Sequence, residues 1–152
     1  MKRPAFAFPV RIPFVEQLGF ELHAAADGCS QLRVDLQEAH HNAWDVAHGG
    51  VLMTMLDVAM AFAARSVLPE GVAVATIEMK TSFMRPAEGA LRADGKLLHR
   101  TSTMAFCEAS VHDDTGALCA TATGTFKILR ALPVRGRLAT QTPRTDTPKE
   151  SA

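Results

Sequence analysis

The pattern of hydrophobic positions predicts one long buried helix in the middle of the chain. Residues 50–64 read GVLMTMLDVAMAFAA, and every position is apolar or small except Thr54 and Asp57. A helix that is apolar on nearly all sides is enclosed by other elements. We therefore expect a buried helix from Gly49 to about Val67.

The segments around this helix alternate apolar and polar residues with the period of β-strands. Two short runs before the helix, 20–22 and 32–36, are separated by the turn dipeptide Asp27-Gly28. The runs that follow the helix are 76–83, 91–100, 104–112 and 118–129. Short turns between such runs are typical of antiparallel strands. The pattern predicts an α+β domain in which an antiparallel sheet wraps around the helix.

Two details of the predicted sheet concern single strands. In the first strand after the helix, strict alternation would send successive side chains to opposite faces. One face would hold Ile77, Met79, Thr81 and Phe83, and the other Thr76, Glu78, Lys80 and Ser82. Gly95, in the next strand, indicates a bulge or a bend.

The two ends of the chain differ in composition from its body. Residues 1–13 contain three prolines and are expected to form an irregular lead-in. A short helix is expected just after it, from Pro13 to Leu18, because Pro stands at its start and Gly19 follows its end. Residues 133–152 hold few large apolar side chains and predict a disordered tail. The residues between these two ends, 14–132, are predicted to form a single domain.

The composition of the chain argues against two classes of binding partner, nucleic acids and membranes. The 152 residues include 16 Lys and Arg against 16 Asp and Glu, so the chain lacks the positive charge that nucleic-acid binding requires. Its three cysteines are widely spaced and form no CxxC pair, which favours a reducing, cytoplasmic location. Neither a signal peptide nor an apolar run of about 20 residues occurs, so no membrane partner is expected.

Asp57 is the residue that this pattern leaves to be explained. A carboxylate in an apolar helix is costly unless it is paired, hydrogen-bonded or protonated. It could be a structural carboxylate, or a base or nucleophile whose pKa is raised by burial. The helix start offers a complementary group, because free backbone N–H groups there can stabilise an oxyanion. Gly49 and Gly50 would expose those groups, although they could also form only a tight turn.

Four motifs, in order, carry a resemblance to a known family. Asn42 precedes the tripeptide 48–50 (HGG), and Asp57 stands nine residues after that histidine. A strand then ends in 83–87 (FMRPA), and a closing hairpin contains 114–126 (DTGALCATATGTF). Over residues 15–130 the chain resembles the hotdog-fold acyl-CoA thioesterases of the phenylacetyl-CoA thioesterase-like type. That family often has a glycine where this chain has Asp45.

The spacing and the resemblance together imply a site built by two subunits. Gly49 and Asp57 are separated by about 12 Å along a helix axis, which is too far for one thioester carbonyl to contact both in one chain. The family forms dimers, often paired into tetramers, with sites at the subunit interface. By this resemblance, Gly49 supplies the oxyanion N–H, Asn42 orients the thioester or water, and His48 shapes the helix start. Asp57 and Thr76 come from the partner, with Thr76 holding the water or Asp57.

The remaining candidates concern coenzyme A and metal ions. Arg85, His99 and Arg100 could contact the phosphates of coenzyme A, although isolated surface cations are the commoner case. Adjacent residues such as His40 and His41 seldom bind one ion together, and no further ligands complete a site. Neither a metal nor a cofactor is expected.

These observations favour a metal-free acyl-CoA thioesterase that forms a homodimer or homotetramer. A hotdog hydratase or dehydratase is the first alternative, but it would use a His–carboxylate pair, and none is evident near the helix start. A non-enzymatic acyl-CoA binding protein is the second, but 152 residues leave no room for an output domain. The sequence identifies neither the acyl group nor the choice between nucleophile and general base for Asp57.

Overall fold

Two helices and six strands follow one another along residues 8–130, the part of the chain that the computed structural model describes. They are α1 (Pro13–Gln17), β1 (Glu21–Ala26), β2 (Cys29–Asp35), α2 (Gly49–Arg65), β3 (Ala73–Phe83), β4 (Ala90–Arg100), β5 (Met104–His112) and β6 (Leu118–Leu129). A single 3-10 turn, Glu38–His40, lies between β2 and α2. The predicted tail at 133–152 and the first seven residues of the predicted lead-in lie outside the described range.

The six strands form one antiparallel sheet in the order β1-β2-β4-β5-β6-β3. Helix α2 packs against all of them. The prediction of an α+β domain with a sheet wrapped around one helix is therefore confirmed. The β1–β2 turn is also as predicted, because Asp27 and Gly28 have φ values of 52° and 79°, as a two-residue hairpin requires.

Helix α2 forms the centre of the hydrophobic core. Met55, Leu56 and Ala59 on this helix have no exposed surface. Their burial explains why the helix is apolar on nearly all sides, since the curved sheet covers most of its circumference. The helix ends at Arg65, slightly before the predicted Val67.

Gly95 marks a close approach between β4 and α2, and the predicted bulge there is wrong. The residue pairs in regular register with Ser30 and Ala109. A Cβ at position 95 would lie 2.7 Å from Ser30 Oγ and closer still to the carbonyl of Ala59. The hydroxyl of Ser30 donates to that same carbonyl at 2.6 Å. Glycine is therefore required by packing, and the irregularity of β4 lies at Leu98 instead.

Strand β3 contains a bulge at Ile77 that strict alternation does not predict. Thr76 pairs with Phe126, but Glu78 pairs with the next residue, Thr125. Ile77 is thus an extra residue in the ladder, and alternation restarts after it. Thr76 therefore faces α2 together with Phe126. The prediction that Thr76 shares a face with Glu78 is wrong because the bulge reverses the alternation between them.

Candidate active site

Asp57 and Thr76 face each other between α2 and β3. The Thr76 hydroxyl donates a hydrogen bond of 2.7 Å to Asp57 Oδ1. Asp57 is half-buried, and this burial raises the pKa of its carboxyl group above the ordinary value. The hydrogen bond from Thr76 acts in the opposite direction, because it stabilises the ionised form. The structure thus brings two of the predicted site residues into direct contact.

Beside this pair lies an apolar groove of about 540 Å³. Helix α2 forms one wall, β3 a second, and the segment 12–15 at the start of α1 a third. Its apolar lining includes Phe14, Met53, Val58, Phe62, Val74 and Met79. The sequence does not predict a site role for α1, since nothing in the spacing along the chain connects this segment to α2.

His48 organises the start of α2. Its Nδ1 accepts a hydrogen bond of 2.9 Å from the Gly50 N–H, so the side chain caps the helix. Within residues 8–130, the Gly49 N–H makes no hydrogen bond. The cap therefore occupies the N–H group of Gly50 and leaves the N–H group of Gly49 available to a substrate oxygen. This placement agrees with a supporting position for His48 at the helix start.

Asn42 organises the loop that leads into the helix. Its Oδ1 accepts from the Trp44 N–H at 2.9 Å and from the Val46 N–H at 3.4 Å. Its side-chain NH2 group makes no hydrogen bond to any described residue and can donate to a ligand. Asp45 adopts φ 58°, in the left-handed region that favours glycine. Aspartate is one of the few residues that tolerate this region, so the loop forms without glycine.

Asn42 and Gly49 line a second cavity, of about 340 Å³, together with Arg85. The ring of Phe83 lies over the helix start, where a Cβ on Gly49 would be 3.4 Å from its Cζ. Arg85 is exposed and can reach an anion at the cavity mouth.

In one chain, the two halves of the predicted site lie in different cavities. Asp57 and Thr76 line the groove, Asn42 and Gly49 line the second cavity, and the two share no lining residue. The structure thus does not bring the two predicted halves into one cavity within a single copy of the chain.

His99 and Arg100 line neither cavity. They lie at the end of β4, where the His99 ring stacks on Phe106 with centroids 6.2 Å apart. The structure does not bring them together with Arg85, so the three predicted phosphate contacts do not form one cluster within a chain.

Arg65 also lines the groove, and it is not among the site residues predicted from the sequence. It is the last residue of α2, and its guanidinium carbon lies 5.4 Å from the centre of the Phe62 ring. The sequence does carry one signal for it, because Asp57 and Arg65 are the two charged residues of an otherwise apolar helix and lie eight positions apart.

The described residues offer no evident metal centre. Between residues 8 and 130, no group of three or more His, Cys, Asp or Glu side chains could hold a metal ion. Over the same range, neither helix has the length and apolar character needed to cross a membrane.

Comparisons with known proteins connect this geometry to a family. The model of the thioesterase superfamily matches residues 45–120, which contain α2, β3, β4, β5 and the first residues of β6. A protein from Halobacterium salinarum, named a putative esterase, is 39% identical over 99 residues. The match covers 62% of this chain and 66% of that protein, just under two thirds of its length.

Two solved structures share the fold over most of the described residues. A conserved protein from Pseudomonas aeruginosa is 27% identical with a TM-score of 0.76, covering 80% of this chain and 97% of that one. A protein from Ralstonia eutropha JMP134, named a putative thioesterase related to phenylacetic acid degradation, is 29% identical with a TM-score of 0.70. That match covers 78% of this chain and 92% of the other. The helix-wrapping sheet and this family match show that the chain belongs to the thioesterase superfamily and has the hotdog fold.

Proposed function

We propose that the protein hydrolyses acyl-CoA thioesters to the free acid and coenzyme A at a site shared by two subunits. The observation that carries this proposal is the pairing of Asp57 with Thr76 at an apolar groove. A carboxylate of raised pKa beside an apolar channel suits a base or nucleophile that acts on an acyl group.

In the general-base route, Asp57 takes a proton from water as the water oxygen attacks the thioester carbonyl carbon. The negative charge that develops on the carbonyl oxygen accepts a hydrogen bond from the Gly49 N–H at the positive end of α2. The carbon–sulfur bond then breaks, and coenzyme A leaves as a thiolate that takes up the proton. In the nucleophilic route, the Asp57 carboxylate attacks the carbonyl carbon, the carbon–sulfur bond breaks, and coenzyme A leaves as a thiolate. Water then hydrolyses the resulting anhydride, which releases the acid, regenerates the Asp57 carboxylate and supplies the proton that the thiolate takes up.

The edge strand β3 supports a dimer that completes this site. Within the described residues β3 pairs only with β6, and Ile77 and Phe83 on this edge are 54% and 52% exposed. Long edge strands with exposed apolar residues are normally covered by a partner. Two β3 strands paired antiparallel across a two-fold axis would bring the Phe83 end of one beside the Thr76 end of the other. Gly49, which lies against Phe83, would then approach the partner's half of the site.

The position of Arg85 supports coenzyme A as the leaving group. Its exposed guanidinium lies beside the Gly49 cavity, where it can pair with a phosphate. Assembly of dimers into tetramers, a cytoplasmic location and phosphate contacts by His99 and Arg100 stay predictions.

A direct test measures free-thiol release from a panel of aliphatic and aromatic acyl-CoAs. Asp57→Asn should retain the fold and acyl-CoA binding but lose at least about 100-fold in kcat. Loss of enoyl-CoA absorbance without thiol release would instead identify a hydratase. Binding without either reaction would identify a non-enzymatic acyl-CoA binding protein.

The shared site has its own test in subunit exchange. Asp57→Asn and Gly49→Pro are each expected to be inactive as homodimers. Gly49 is the first residue of α2, where proline is tolerated, so Gly49→Pro removes the N–H donor without breaking the helix. Mixed dimers should regain activity because one of their two sites is intact. Mixed dimers that form, as measured by mass spectrometry, and stay inactive would refute the shared site.

A further inference from the structure

Arg65 places a positive charge at one end of the groove that holds Asp57. Both residues line the same cavity, and the wall between them is formed by Val58, Ala61 and Phe62. The guanidinium is half-buried against the Phe62 ring, and this burial lowers the pKa of Arg65. A cation with five N–H donors is thus partly withdrawn from water at the end of an apolar channel.

No anionic side chain of residues 8–130 neutralises this charge. None of the ion pairs in that range includes Arg65, and its side chain donates no hydrogen bond to a described residue. The aromatic face of Phe62 and the negative end of α2 stabilise the charge in part. Neither supplies the planar pair of oxygen acceptors that a guanidinium binds best.

The geometry sets the length of the ligand that would reach this cation. Asp57 and Arg65 are separated by about 12 Å along the axis of α2. Helical side chains lean toward the N-terminus, so the guanidinium lies over the preceding turn, where Phe62 is found. The gap that an acyl chain must bridge is therefore shorter than the axial distance.

We propose that the groove accepts acyl chains that end in a carboxylate, and that Arg65 binds this terminal group. The proposal rests on the proposed thioesterase activity and names the substrate class as ω-carboxyacyl-CoA. The methylene chain packs along Val58, Ala61 and Phe62, and the terminal carboxylate forms two parallel hydrogen bonds with the guanidinium. A plain aliphatic chain would instead leave its methyl end against a partly desolvated charge, which is unfavourable.

The test compares substrates of equal chain length that differ only at the far end. Octanoyl-CoA is compared with the monothioester of octanedioic acid, and the same comparison is made for the six-carbon and ten-carbon acids. The wild-type kcat/KM should favour the dicarboxylic substrate by at least about tenfold at one of these lengths, as expected for a charge-assisted hydrogen bond. The preference should be confined to that length, because the position of Arg65 is fixed by the helix.

Arg65→Met removes the charge and keeps an apolar side chain of similar length. In this variant the ratio of the two kcat/KM values should fall to about one. Arg33→Met, at an exposed position of β2 that does not line the groove, is the matched control and should leave the ratio unchanged. If Arg65→Met does not fold, Arg65→Gln serves in its place, and the wild-type length series tests the proposal alone.

Each outcome separates this proposal from the one on which it rests. Hydrolysis of both substrates with no preference at any length, or a preference that survives loss of Arg65, overturns the carboxylate site and leaves the thioesterase intact. Failure to hydrolyse any acyl-CoA overturns the thioesterase activity itself. A preference that Arg33→Met also removes would show general electrostatic attraction and overturn the role of Arg65.

Discussion

Thr76→Val isolates the contribution of one hydroxyl to the behaviour of Asp57. Valine has nearly the same shape as threonine, so the packing between β3 and α2 should be preserved. The variant loses only the 2.7 Å hydrogen bond that stabilises the ionised carboxylate. Because this bond lowers the pKa of Asp57 and burial raises it, the pKa should rise further in Thr76→Val.

The magnitude follows from the type and exposure of the hydrogen bond. Bonds to charged groups contribute about 1.5–3 kcal/mol when they are well shielded from water. This one lies at an exposed position, so solvent screening reduces its contribution to about 1 kcal/mol. Since one pKa unit corresponds to about 1.4 kcal/mol, the acid limb of the activity profile should move to higher pH by about 0.7 unit.

The assay is the pH dependence of kcat/KM for free-thiol release, which reports ionisation in the free enzyme. Activity needs the carboxylate, so the rate falls as the pH drops through the pKa of Asp57. In Thr76→Val this fall should begin at higher pH, while the two enzymes should converge at the alkaline plateau. Thr76→Ser retains a hydroxyl and is the matched control, with an acid limb close to that of the wild type.

Two results would refute this reasoning. Superimposed acid limbs for the wild type and Thr76→Val would show that the hydroxyl does not act on the ionisation of Asp57. A uniform loss of rate at every pH, with no shift of the limb, would show that Thr76 positions the substrate or water instead.

Four further predictions concern stability and metal dependence. Asp57→Asn should raise Tm at pH 7, because a carboxyl group whose pKa is raised in the folded state destabilises that state once it is ionised. The difference in Tm between the variant and the wild type should vanish as the pH falls toward 3.8, where the carboxyl group becomes protonated. A lower Tm for Asp57→Asn at pH 7 would contradict this prediction. Gly95→Ala should destabilise by about 1–3 kcal/mol in urea unfolding, because its Cβ would overlap Ala59, and an unchanged midpoint would contradict that packing. Asp45→Ala should lower Tm and Asp45→Gly should not, since only glycine adopts φ 58° freely. Thiol release should survive dialysis against EDTA, and its loss would reveal a metal site.

The sequence predicted those features that depend on local pattern. The apolar run of α2 indicated its burial, and the turn residues Asp27-Gly28 indicated the first hairpin. The burial of Asp57 followed from its apolar neighbours alone, and so did the direction of its pKa. These features are local because each one is determined by residues within a few positions of it.

The remaining features depend on contacts between distant segments. The groove wall from α1 forms because residues 12–15 pack beside α2, which no periodicity along the chain specifies. The need for glycine at position 95 comes from the backbone of Ala59, which lies 36 positions away in sequence. His48 bonds to the N–H group of Gly50, and not to that of Gly49, because of its side-chain rotamer. Such details appear only once the chain is folded.

The bulge at Ile77 means that the face on which Thr76 lies is fixed by its partner in β6, and not by its distance along β3 from Glu78. Deleting Ile77 would leave Thr76 opposite Phe126 and Glu78 opposite Thr125, now as neighbours in an uninterrupted ladder. Successive residues of a regular strand point to opposite faces, so Thr76 would still face α2 and Asp57. A relative that lacks this one residue therefore keeps the threonine at the site. When relatives are aligned across β3, the threonine is identified by the β6 residue with which it pairs, and a one-residue gap beside it does not imply loss of the contact with Asp57.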